Sequence, residues 1–153
     1  MTSTKRLYEG MHLVAVANPA TATNASPLRT GAVDMTKYRR VIAVAALGNM
    51  SAQAIDFKLE SSKVSTFNDS PSSTADVVKA TQLSGHASNN DNKQIVLECS
   101  GGDLTGGTRY LRGSLTIAAA SPDTGGPACI MIFGEPFYSN ETRLSSVVET
   151  KVA

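Results

Sequence analysis

Seven apolar residues in a row, Val41-Ile42-Ala43-Val44-Ala45-Ala46-Leu47, stand between Arg40 and Gly48. A buried helix wants ten or more residues, and the run is rich in β-branched side chains, so it reads as a strand. Gly48-Asn49 ends it with a pair suited to the positive φ of a tight turn. The next pattern obeys a different rule. Ile55, Phe57 and Leu59 alternate with Asp56, Lys58 and Glu60, as in a strand with one wet face. The first strand has no wet face at all. It is expected to lie centrally, covered on both sides, and the cover for the second side has to come from somewhere.

Further strands are expected over residues 11–17, 94–99, 109–119 and 128–133, beside 39–47 and 54–61. In the 109–119 segment Leu111, Leu115 and Ile117 face one way, and Arg112, Ser114 and Thr116 the other. The stretch NPATATNASPLRTG has neither period and reads as an extended connection. Residues 75–83 read as a short helix, with Ser73 or Thr74 as cap, Asp76 in the first turn and Gly85 as stop. That helix offers Val77, Val78 and Leu83 as its large apolar groups, a thin cover for several strands. The expected fold is all-β: a jelly-roll-like β-sandwich or barrel with one short helix and extended terminal arms. Residues 1–10 form an N-terminal arm, 11–136 the β domain and 137–153 a C-terminal tail.

The chain of 153 residues is the size of one domain, with 41% hydrophobic and 18% charged residues. A net charge of +1 gives no general field that would draw it to nucleic acid or to an acidic membrane. The opening MTSTKRLYEGMHLVAVANP is too short in its apolar part for a membrane span and poor as a signal peptide. The chain is accordingly expected to be soluble and made in a cytoplasm, and the sequons at Asn24, Asn49, Asn68 and Asn140 to carry no glycan. Cys99 and Cys129, far apart and outside any CxxC, read as small buried hydrophobes.

Nothing in the sequence assembles a catalytic or metal site. His12 stands in an apolar strand and His86 in a polar loop, neither at HExxH or HxH spacing. SGGDLTGGT lacks the Lys-Ser/Thr of a phosphate loop, and a strand follows it where a helix N-terminus would be needed. It reads as a turn with positive-φ corners. Ser, His and Asp in LSGHASNND are close only in sequence, and there is no GxSxG. Asp69, Asp91, Asp103 and Asp123 all fall in turns, where Asp serves the backbone. KYRR, Lys37 to Arg40, is a basic cluster beside an aromatic, but with no Trp and no second basic run it does not make a nucleic-acid surface. The chain is expected to be non-enzymatic, with no cofactor and no metal.

The order of the pieces carries a resemblance. AVDMTKYRRVIAVAALGNM runs a basic cluster into an apolar strand ending at Gly, and AIDFKLESS follows as the one-sided strand. ADVVKATQL, QIVLEC, a GDL turn and TRYLRGSLTIA then come in that order. Over residues 31–119 this resembles bacteriophage head decoration, or capsid cement, proteins. The resemblance implies a jelly-roll-like domain on the outside of a phage head, made in the host bacterial cytoplasm and bridging neighbouring capsid subunits. It implies the major capsid protein as partner. The second face of the 39–47 strand, which the short helix covers thinly, separately predicts a homo-oligomer, a dimer favoured over a trimer because two-fold closure is commonest, and the low net charge predicts no nucleic acid or membrane partner. The capsid-contact candidates are Lys5, Arg6, Leu7 and Tyr8 in the arm, and Lys37, Tyr38 and Arg39 in the basic cluster. Two other classes remain: a phage tail or connector protein, and a carbohydrate-binding β-sandwich, which four Tyr, four Phe and no Trp disfavour.

Overall fold

The computed structural model describes residues 10–23, 26–49, 55–68, 75–83, 91–117 and 126–137. Nine strands lie in these segments: β1 (His12–Ala22), β2 (Leu28–Arg29), β3 (Val33–Asp34), β4 (Tyr38–Leu47), β5 (Ile55–Ser62), β6 (Ala75–Leu83), β7 (Gln94–Ser100), β8 (Tyr110–Ile117) and β9 (Gly126–Pro136). They form two antiparallel sheets. The front sheet has the order β1-β9-β4-β7, and the back sheet β2-β8-β5-β6, with β3 also paired to β8. The chain is an all-β sandwich.

The pairings are nested. β1 pairs with β9, β2 and β3 with β8, β4 with β7, and β5 with β6. The chain is therefore one long antiparallel ribbon, doubled back between β5 and β6 and wrapped so that successive segments fall in alternate sheets. Lateral pairs, β4 with β9 and β5 with β8, join the turns of the wrap.

Alternation sets the core. Val41, Ala43, Ala45 and Leu47 of β4 point inward, as do Ile130 and Ile132 of β9. Ile55, Phe57 and Leu59 of β5 and Leu111 and Leu115 of β8 meet them from the back sheet, all fully buried. Gly113 lies in this interior. A Cβ there would stand 3.1 Å from Ile130 Cγ2 and 3.5 Å from Phe57 Cε2, so the missing side chain is what lets the two sheets close at this point.

Three expectations change. Residues 75–83 are not a helix but β6, in register with β5: Phe57 opposite Ala80, Lys58 opposite Lys79 and Leu59 opposite Val78. The segment contains Val77, Val78 and Thr81, and β5 has an edge whose backbone groups need a partner. Strand pairing outweighs the helical capping signals. The cap candidates Ser73 and Thr74 and the stop Gly85 lie outside the described residues. Second, β1 runs on through the Asn18-Pro19 pair to Ala22, with a shift of register between Ala17 and Ala20. β1 is an edge strand, where a bulge accommodates a proline that cannot donate a hydrogen bond. Third, β4 is not sealed on both faces: Ile42, Val44 and Ala46 are only half-buried, on the outside of the sandwich.

Candidate interaction surface

The two outer faces differ sharply. On the back sheet the outward positions of β5 and β8 are polar and internally paired. Glu60 is buried at 5% exposure, with Lys58 Nζ 2.7 Å and Arg112 Nε 2.8 Å from its carboxylate oxygens. Burial pushes the Glu60 carboxyl up, but hydrogen bonds from Lys58 and Arg112 outweigh it and leave the group below its ordinary range. Arg112 also lies over the Phe67 ring, 4.1 Å from its centroid. At the edge, Arg109 Nε donates to Asp34 Oδ1 at 2.8 Å, and Thr36 Oγ1 donates to the same oxygen at 2.7 Å. These contacts, Arg109 foremost, hold the Asp34 carboxyl well below the usual carboxylate range.

The front sheet presents apolar rows instead. Register aligns Leu13, Phe133 and Ile42 across β1, β9 and β4, and Glu98 of β7 closes the row at the edge of the sheet. The next row is Val16, Met131, Val44 and Val96, the last 60% exposed on β7. A third row, Cys129 and Ala46, is small and ends in the exposed Gln94 of β7. Charge enters only at the margin, where Arg40 lies between Glu135 (2.8 Å) and Glu98 (3.2 Å). Two signals for this face stood in the sequence: the second apolar set of β4 and the unbroken ACIMIF run of β9.

The basic cluster divides. Lys37 and Arg39 are exposed, Arg39 with its guanidinium carbon 5.8 Å from the centroid of the Phe137 ring. Tyr38 is buried at 7% exposure, its ring packed on Gly134, and it serves the fold. Lys5, Arg6, Leu7 and Tyr8 lie outside the described residues, as do His86, Asp69 and Asp123.

SGGDLTGGT is the turn its sequence predicts. Gly101–Asp103 make one 3₁₀ turn, and Gly106 and Gly107 take φ of 65° and 72°. Asp103 Oδ2 accepts from the Ser100 backbone N–H at 2.7 Å and the Ser100 hydroxyl at 2.9 Å, which lowers its pKa. The loop's acid serves its own backbone. Cys99 is buried and burial pushes its thiol up to about 11, while Cys129 is half-buried on the apolar outer face. Among the described residues no group of three or more His, Cys, Asp or Glu is placed to hold a metal ion. No helix among them is long and apolar enough to cross a membrane. Comparison of the chain with protein-family models and with curated proteins finds no match.

Proposed function

We propose that this chain is a non-enzymatic virion structural protein, a decoration protein that binds the outside of a phage head and bridges neighbouring subunits of the major capsid protein. The observation that carries the reading is the order of segments over residues 31–119, from the VDMTKYRR cluster to TRYLRGSLTIA. The nested ribbon supports it, because a two-sheet sandwich wrapped in this way suits the jelly-roll-like domain of the proposal, an architecture common in capsid proteins. The asymmetry of the sandwich supports it too. Charged groups are paired on one face, and apolar ones are presented on the other, as suits a part that works within an assembly. In this reading the protein is made in the host bacterial cytoplasm, needs no cofactor, and associates with itself as well as with the shell. Its N-terminal arm extends onto neighbouring subunits, adding weak contacts that repeat over the lattice.

Quantitative mass spectrometry of purified particles tests this. The chain should occur in fixed ratio to the major capsid protein and co-purify with heads separated from tails. A chain found only with tails, or in far lower copy than the shell subunits, would favour a tail or connector role. Absence from particles would end the proposal. Deleting residues 1–10 should leave the domain folded and weaken its retention on heads during dilution.

A further inference from the structure

We infer that the outer face of the front sheet is the docking surface for a second copy of this chain, the two sheets packing face to face about a two-fold axis. This inference stands without the virion reading, since it follows from the face itself. Four strands about 4.8 Å apart, crossed by three rows about 6.8 Å apart, give a footprint of about 400 Å² per copy. A pair would bury roughly 800 Å² from the rows themselves, below the roughly 1,200 Å² of a standard stable interface, so the polar rim has to supply the remainder and the dimer is a weak, readily reversible one.

The identity of the occupant follows from what the face can match. Its three rows carry one charge, Glu98 at the β7 end of the first row, which Arg40 already holds at 3.2 Å, so a charged surface laid on the apolar positions would leave ionised groups without partners. The back sheet's outer face, with Lys58, Glu60 and Arg112, is such a surface and cannot stack here. A second copy of the front face can. The rows are also graded in bulk, from Leu13, Phe133 and Ile42 at one end to Cys129 and Ala46 at the other. A two-fold axis running along the middle row sets the large row of each copy over the small row of its mate. Bulk then complements bulk in the self-matching way an isologous contact requires. The Val16–Met131–Val44–Val96 row meets its own counterpart on the axis.

The full-length protein tests this directly. Sedimentation velocity across a hundredfold concentration range should show a monomer–dimer equilibrium. Val96→Glu, at an exposed position, should remain monomeric throughout with an unchanged circular dichroism spectrum. Alkylation of wild-type Cys129 by N-ethylmaleimide should slow at least several-fold as the dimer forms, while Cys99 stays protected at every concentration. A wild-type monomer at all concentrations overturns the inference, as does an oligomer that Val96→Glu leaves intact or a three-fold assembly. If the variant does not fold, the wild-type alkylation profile decides: a Cys129 rate independent of concentration overturns the inference. Shell binding, assayed separately on particles, has no bearing on these readouts.

Discussion

Gly134 shows how much a missing side chain can set. A Cβ at this position would stand 2.6 Å from Cδ1 of Tyr38, 3.0 Å from Cγ and 3.1 Å from Cε1. The ring is buried and has no easy way out. Gly134→Val should therefore cost about 1–3 kcal/mol by overpacking. Gly102→Ala, where the nearest atom would be 3.9 Å away, should cost far less. Urea midpoints of the two variants check this, and equal midpoints would mean that the ring yields. The acidic pairs make a second residue-scale prediction. Asp34 and Glu60 both titrate below their ordinary range in the folded chain, so the unfolded chain binds protons first as pH falls. Their contribution to stability is complete above about pH 5 and drains away as pH drops through the folded values. Urea midpoints should be flat from neutrality to about pH 5 and fall below it. Asp34→Asn should lower the plateau and shallow the acid slope; an unchanged slope would refute the role of the Arg109 contact. Neither pair was legible in the sequence, because Asp34 and Arg109 lie far apart in the chain and only the β3–β8 register brings them together.

At the scale of elements, β4, β5, β7, β8 and β9 were legible because a short apolar run or strict alternation leaves little choice of period. β6 was not. ADVVKATQL carries capping signals and a spacing that a helix could also use, and what decides it is the open edge of β5, a fact about the sheet. Far-UV circular dichroism should accordingly show a β spectrum with little helix. The facing of β4 was half legible. Its second apolar set was visible in the sequence, but the sequence could not say that this set points outward. The two facings separate by mutation. Val41→Asp places an unpaired charge in the sealed interior and should cost several kcal/mol. Val96→Asp, on the outer face, should stay within about ±0.5 kcal/mol in dilute solution. Similar melting temperatures for the two would mean that the inner and outer faces are misassigned.

For the molecule as a whole, the wrapped ribbon makes nearly every pairing long-range. β1 cannot be placed until β9 arrives, because β9 is the strand between β1 and β4. A chain ending before Gly126 should therefore fail to fold, since β1 would lose its partner and β4 one of its two. Cooperative thermal melting of that truncation would contradict the topology. Folding of the intact domain should be slow, on the order of milliseconds to seconds, as in other sandwiches dominated by non-local contacts. Stopped-flow refolding checks this.

The outermost pair of the ribbon has a practical consequence. His12 stands directly opposite Gly134, so the first and last strands leave the sandwich side by side at one corner. A segment joined directly to the start of β1 or the end of β9 would leave the sandwich from the same pole. A short linker between those ends would also close the chain into a circle that could be reopened elsewhere, and the exposed Gly106-Gly107 turn is the natural place to cut. The fold is thus a scaffold in which the start of β1 and the end of β9 share one doorway.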